Sequence, residues 1–267
     1  MTTVQDILNI INNIAADSLA ESWDNVGLLI GSPEKRVTRI LLALDPTNRL
    51  ITQAKQQGAE LLITHHPAIF HPLKSLRTDQ PVGGFIAQAL QAGINVIGCH
   101  TNLDAARGGV SDVLAANLEL QNVQPLVPAV GCSDCGLGRT GTLAAEQTPE
   151  AFINILRQAI DPPWLLEAGP RPDLIGRVAV CGGSCSDFAE AALAAGADVF
   201  ITAEIKHAVA RWAWEAGLWL IDGGHFATEN PAMERLQSIL AENLSREGLR
   251  VDVQCAGQKP PLTLVEN

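Results

Sequence analysis

The chain has 267 residues, 47% of them hydrophobic, with a formal net charge of −11 and six cysteines. That apolar content excludes disorder as the main state, and the length leaves room for one large domain or two modest ones. The excess of acid disfavours a generic binder of nucleic-acid backbones, which needs surplus Lys and Arg.

The opening stretch, MTTVQDILNIINNIA, carries Asp6 and no basic cluster, so it reads as an amphipathic helix over Thr3–Ala16 and not as a secretory signal. Ile7, Ile10, Ile11 and Ile14 fall on one face of it. No run of 18 apolar residues occurs, so no membrane span is expected, and six cysteines without a dense framework point to the reducing cytoplasm.

Strands are predicted at Val26–Ile30 and Ile40–Leu44, then a helix over Leu50–Gln57 and a strand at Leu61–Thr64. A helix over Val82–Ala92 leads into a strand at Asn95–Gly98. GGVSDVLAANLEL is a further helix, with Ser111 as its expected N-cap. The stretch Val123–Gly141, richer in Pro, Gly and Cys, reads as a domain boundary. Beyond it come a strand at Gly141–Ala144, a helix over Thr148–Ala159 with Pro149 in its first turn, and a strand at Arg177–Cys181. A helix over Phe188–Ala195, a strand at Val199–Thr202, a helix over Pro231–Arg246, a short strand at Val251–Gln254 and a mobile tail, Gly257–Asn267, complete the chain. This alternation predicts an α/β protein: two linked α/β units with mostly parallel sheets and flanking helices. Residues 1–125 form the first unit, with His65, His66 and Asp104. Residues 126–267 form the second, with the His225/Glu229 segment, packing back on the first.

Four times an Ala/Gly-rich stretch runs into a short apolar segment followed by His or acid: QAKQQGAELLITHHP, QALQAGINVIGCHTNLD, AALAAGADVFITAEIKH and AWEAGLWLIDGGHFATE. Short apolar runs after helices are buried parallel strands, and ligands gather beyond the carboxyl ends of such strands. His65, His66, His100, Asp104, Glu204, His207, His225 and Glu229 are therefore aimed from several strand ends.

His65 and His66 are the strongest single signal, because apolar strands rarely finish in two imidazoles that each need a polar partner. Adjacent side chains of an extended chain point to opposite sides, so the pair suits two metal ions, one each. His225 and Glu229 are four apart after two glycines, and a helical turn puts both on one face. His100 and Asp104 are also four apart. Asp104 can supply a carboxylate; His100 is a ligand, a proton shuttle or an outer-shell group, and Asn102 or Asp104 can equally serve as turn residues. Glu204 and His207 suit the orienting of ligands through hydrogen bonds. Imidazoles mixed with carboxylates suit two divalent ions of Zn, Fe, Mn, Co or Ni and leave the choice among them open; the all-oxygen ligation of Mg or Ca fits poorly.

Cys132 and Cys135 form a CxxC and Cys181 and Cys185 lie four apart. Four thiolates can hold a structural zinc, but reduced cysteines or a redox-labile pair are the preferred reading. Cys181-Gly-Gly-Ser-Cys185 between a strand and a helix reads as a tight turn; it lacks the Lys and spacing of a P-loop. No Gly-x-Ser-x-Gly elbow occurs, so a serine hydrolase is not indicated. Trp212, Trp214 and Trp219 are spaced for packing or a subunit contact.

The segments WDNVGLLIG at Trp23–Gly31, LLALDPT at Leu41–Thr47, ITHHPAIFHPL at Ile63–Leu73, HTNLDAARGGV at His100–Val110 and GGHFATE at Gly223–Glu229 occur in that order. In them the chain resembles the NGG-interacting-factor-three-like family, also known as GTP cyclohydrolase 1 type 2, over nearly its whole length. The resemblance implies a two-domain α/β subunit in a ring-shaped homohexamer with a dinuclear metal centre facing its interior. By matching motif, His65 and His225 would bind one ion, His66 and Asp104 the other, and Glu229 would bridge them. Some members carry a large domain inserted between the halves, for which this chain is too short; His71, Cys132 and Cys135 gain no role. The family name suggests hydrolytic ring opening of GTP with release of formate.

The leading expectation is a metal-dependent hydrolase with a small-molecule substrate, in which His100 moves protons and Glu204 positions it or a ligand. The rival is a non-catalytic metal-binding hexamer that recruits a partner protein. No membrane partner is expected, and nucleic acid is disfavoured by charge.

Overall fold

Thr3 opens the first helix of the computed structural model, which describes residues 1–265. Its hydroxyl accepts the Asp6 N–H at 3.3 Å while the Asp6 carboxylate accepts the Thr3 N–H at 2.8 Å. This reciprocal cap starts α1 (Val4–Ile14), which buries Ile7, Ile10 and Ile11 as the spacing predicted, with Val4 in place of the half-buried Ile14. After it come β1 (Gly27–Ile30), β2 (Arg39–Ala43), α2 (Asn48–Gln57), β3 (Leu61–Thr64), α3 (Pro81–Ala92), β4 (Asn95–Gly98), α4 (Thr101–Ala105) and α5 (Val110–Asn117). The chain continues through β5 (Gln121–Pro128), β6 (Gly136–Gln147), α6 (Pro149–Ile160), β7 (Leu166–Ala168), β8 (Ile175–Val180), α7 (Ala189–Ala194) and β9 (Val199–Thr202). It ends with α8 (His207–Ala216), β10 (Trp219–Asp222), α9 (His225–Glu229), α10 (Pro231–Arg246) and β11 (Asp252–Cys255). No helix among the described residues is long and apolar enough to cross a membrane.

The fold is α/β with two sheets and flanking helices. The first sheet has the order β1-β4-β3-β2-β11 and is parallel except for β1. Its core joins Leu41, Leu62 and Val96 on the strands to Leu50, Ile51 and Ala54 of α2 and Phe85, Ile86 and Ala89 of α3. The second sheet has the order β5-β6-β8-β9-β10-β7, and only the β8–β9 and β9–β10 pairs are parallel. The expectation of mostly parallel sheets holds for the first sheet, while the second is mixed. Val178, Val180, Val199, Ile201, Trp219 and Ile221 pack on α5 and α6, while the alternate residues Ala179, Phe200 and Leu220 pack with Ala192 of α7 and Ala213 of α8. Burial on both faces is why these strands read as unbroken apolar runs.

Two compact units result: Met1–Leu103 with Met233–Gln258, and Asp104–Ala232 with the segment from Lys259. The divisions fall inside α4 and α10, whereas the sequence placed one cut at residue 125. The Pro/Gly/Cys-rich stretch taken for a boundary is instead the β5–β6 hairpin. Pro125 cannot donate to a ladder, and β5 accommodates it as an edge strand. Ser111 is not an N-cap: Gly109 holds that position, and Asp112 in the first turn accepts the Gly108 N–H at 2.6 Å. Asp112 also pairs with the buried guanidinium of Arg139, which donates further to the carbonyls of Ala106, Gly136 and Gly138. Residues 257–265 form no regular element. The last two residues of the expected mobile tail lie outside the described residues.

Candidate metal centre

The parallel strands β2, β3 and β4 end at one edge of the first sheet, with Ala43 opposite Thr64 and Thr64 opposite Gly98. The ladder continues past β3: the His65 N–H donates to the Ala43 carbonyl at 3.0 Å and the His66 N–H to the Leu44 carbonyl at 2.9 Å. Both histidines lie in a bend just past the strand, so their ring centroids are 5.1 Å apart and the rings do not point to opposite sides as an extended chain would place them. His100 follows β4, and one ring nitrogen from each of His65, His66 and His100 lies within 4.8 Å of the others.

Each ring is aimed by an oxygen. His65 Nδ1 lies 3.0 Å from the Cys99 carbonyl, His66 Nδ1 2.7 Å from Asp45 Oδ1, and His100 Nδ1 2.9 Å from Asp24 Oδ1. A carbonyl or carboxylate oxygen can only accept, so Nδ1 carries the proton and Nε2 keeps its lone pair. That is the tautomer a metal or a proton needs. Gln258 in turn fixes Asp45, accepting its N–H at 2.9 Å and donating to its carbonyl at 2.8 Å. Burial alone would raise the pKa of Asp24; hydrogen bonds from His100 and from the hydroxyl and N–H of Thr101 outweigh it and hold the carboxyl well below the usual range.

In the second unit the parallel strands β8, β9 and β10 end together in a Gly-Gly turn after Cys181, in Glu204, and in a second Gly-Gly turn before His225. His225 and Glu229 share one face of α9, and the imidazole stands between two carboxylates. Glu204 Oε1 is 3.0 Å from Nδ1 and Glu229 Oε2 is 3.0 Å from Nε2. Two ligands about 2.1 Å from one ion sit roughly 3 Å apart, so the His225 Nε2 and Glu229 spacing fits a shared ion. Glu229 is 3% exposed. Gly183 makes room for it: its φ is +72°, and a Cβ there would lie 2.1 Å from Glu229 Oε1. Glu204 adopts φ +54°, unusual for a side-chain-bearing residue. The Cys185 thiol pKa is pushed up by its hydrogen bond to Cys181, by burial and by the nearby charges of Asp104 and Glu229.

The first unit therefore brings His65, His66 and His100 together, and the second carries Asp104, Glu204, His225 and Glu229. Glu204 takes the positioning role on His225, not on His100, which Asp24 holds. His207 is exposed at the start of α8 and belongs to no donor group among the described residues. Cys132 and Cys135 are bonded to each other at the turn of the β5–β6 hairpin, so these two sulfurs are not thiolates of a four-cysteine zinc site. The Cys181-Gly-Gly turn packs on Glu229, the tight turn that was expected. Trp219 is fully buried, and Trp214 is 61% exposed. Asp24 and Asp45 were missed as functional residues although both lie in quoted motifs; the signal was an acid at or beside the end of an apolar segment. Imidazoles with their N–H groups committed, together with buried carboxylate, form a donor set that fits a first-row divalent metal.

A profile of the Duf34/NIF3 (NGG1p interacting factor 3) family matches residues 2–261. A GTP cyclohydrolase 1 type 2 homolog of Clostridium perfringens is 36% identical over 244 residues, 91% of this chain and 93% of that protein. One from Streptomyces coelicolor is 35% identical over 270 residues, 95% and 91% of the two chains. The crystal structure of a Bacillus cereus protein related to NIF3 superposes with a TM-score of 0.93 at 25% identity, covering 99% of both chains. Reduced HcgD from Methanocaldococcus jannaschii gives a TM-score of 0.80 at 26% identity, covering 95% of this chain and 97% of its own.

Proposed function

The chain belongs to the Duf34/NIF3 family, and from that premise we propose that it is a metal-dependent hydrolase whose His65, His66, Asp104, His225 and Glu229 hold two divalent ions. The observation that carries the reading is the committed Nδ1 of His65, His66 and His100, which leaves three Nε2 atoms for ligation or proton transfer, beside His225, whose Nε2 meets Glu229. In the proposal His65 and His225 serve one ion, His66 and Asp104 the other, and Glu229 bridges them. The relatives named GTP cyclohydrolase 1 type 2 homolog support a nucleotide among the candidate substrates and hydrolytic ring opening among the candidate reactions. Assembly as a homohexamer belongs to the same proposal and is tested by light scattering.

Bound ions would supply Lewis acidity and lower the pKa of a water molecule. The chain's own part follows from its hydrogen bonds. His100, its Nδ1–H committed to Asp24, offers Nε2 to a proton, and the buried carboxylate favours the imidazolium that forms. Glu204 keeps His225 in the tautomer that leaves Nε2 facing Glu229.

The test is to quantify bound metal on the purified protein, then to assay nucleotides, cyclic amides and phosphoesters beside Glu229→Ala. Turnover of one class that disappears on chelation and in the variant is expected. Full metal occupancy with no turnover on any class favours the non-catalytic metal-binding assembly. His66→Ala and Asp104→Ala should lower metal stoichiometry without unfolding; unchanged stoichiometry in both defeats the ligand assignment. His100→Ala should keep its metal and lose turnover, whereas loss of metal would make His100 a ligand.

A further inference from the structure

Two aromatic side chains beside the imidazoles of the first sheet have no part in holding metal. Trp23 is 56% exposed and Phe70 39%, and their ring centroids are 5.8 Å apart with planes at 59°. Both meet the His100 ring, Trp23 at 6.1 Å and 74° and Phe70 at 6.0 Å and 72°. Phe70 also meets the exposed ring of His71 at 4.6 Å and 66°.

These rings sit on loops that are pinned. Asn25 Nδ2 donates to the Ile69 carbonyl at 2.6 Å, which ties the residue two places after Trp23 to the one just before Phe70. Asp24, between Trp23 and Asn25, holds His100 and Thr101. The bare end of β4 allows both loops to close in: a Cβ on Gly98 would lie 2.9 Å from Leu29 Cδ1 and 3.5 Å from both the Asn25 carbonyl and Pro67. The tripeptide Trp23-Asp24-Asn25 thus presents an indole, orients an imidazole and anchors the loop that presents a phenyl ring. Large apolar rings kept half in water add little to the fold, and exposed aromatics fixed beside polar groups mark binding sites.

We propose that Trp23 and Phe70 form a stacking subsite for a planar nitrogen heterocycle, the part of the substrate recognised next to His100. This rests on the hydrolase reading and adds to it the chemical class of the group bound. Every such ring has a π-face, and stacking on one aromatic side chain strengthens binding by about one to two powers of ten. Two rings inclined to each other give one stacking face and one edge-to-face contact, the arrangement aromatic groups prefer.

The experiment uses the full-length, metal-replete chain with guanosine, uridine and ribose 5-phosphate as calorimetric probes, while bound metal and mass in solution are recorded in parallel. Both nucleosides should bind at least about tenfold tighter than ribose 5-phosphate. Trp23→Ala should weaken nucleoside binding by about tenfold or more, Phe70→Ala by less, and Trp23→Phe should retain most of it. Metal content should be the same in all four proteins. Nucleosides that bind no tighter than ribose 5-phosphate, or not at all, overturn the proposal, as does unchanged binding in Trp23→Ala. A changed mass in Trp23→Ala would make the rings a subunit contact, and lowered metal would make Trp23 structural; either also overturns it. Absence of metal from the wild type would instead sink the hydrolase reading, which keeps the two failures apart.

Discussion

The carboxyl edge of the first sheet and that of the second use one device, three parallel strands ending together, with the roles of acid and imidazole exchanged. At the first edge, acids and a carbonyl each orient one imidazole of a cluster of three. At the second, one imidazole is held by two acids. The two also differ in how firmly the orienting group is fixed. Asp24 has no exposed side-chain surface and accepts from four groups, whereas the Glu204 side chain is 57% exposed and depends on an uncommon backbone conformation. A buried, saturated carboxylate places a ring more firmly than a solvated one, so losses at the first edge should exceed losses of orientation at the second.

The largest effect is expected at Glu229, the acid proposed as a ligand and not merely as an orienting group. Glu229→Ala should lower metal affinity by more than the ~10–100-fold typical of an outer-shell partner, measured by chelator competition with circular dichroism unchanged. Gly183→Ala should come next, because its Cβ would meet the Glu229 carboxylate and its φ is positive. A loss of about 1–3 kcal/mol in urea unfolding is expected; an unaffected midpoint would mean that the Gly-Gly turn gives way freely. Asp24→Asn should cost about 10–100-fold in turnover with metal retained. That variant also carries the pH signature. A carboxyl whose folded pKa is depressed stabilises the fold above its unfolded value near 3.9 and loses that contribution as pH falls through the folded value. Wild-type stability should therefore decline on acidification below about pH 4, and the decline should be shallower in Asp24→Asn. The smallest effect is expected at Glu204. Glu204→Gly relieves the left-handed backbone, so stability should hold or rise by about 1 kcal/mol while metal affinity falls roughly tenfold. A larger functional loss there than at Asp24 would reverse the ranking of the two edges.

Much of this was legible in the chain. The strands Leu61–Thr64, Asn95–Gly98 and Val199–Thr202 match the sequence reading residue for residue, because they are buried on both faces and bounded by glycine-capped helices and polar ends. His65 and His66 stood out as polar residues directly after an apolar run, and His225 and Glu229 by their spacing of four after two glycines. Asp45 did not, since its partner is set by the register of β2 on β3, and strand order is absent from a linear pattern. Asp24 lies in a loop 76 residues from the ring it holds. The hairpin of β5 and β6 was hidden by Pro125 and by the exposure of most of β5, which removes the apolar signal. β7 has only three residues, too few for any period to show.

The amide of Gln258 that clasps the backbone of Asp45 has a consequence for the order of assembly. β11, which pairs with β2, and this clasp are made by residues 252–258, whereas the strands they complete are synthesised before residue 100. On the ribosome the nascent first sheet keeps an open flank until residues 252–258 have been synthesised. Shortening the chain before Gln258 should therefore loosen His66 while every histidine is still present.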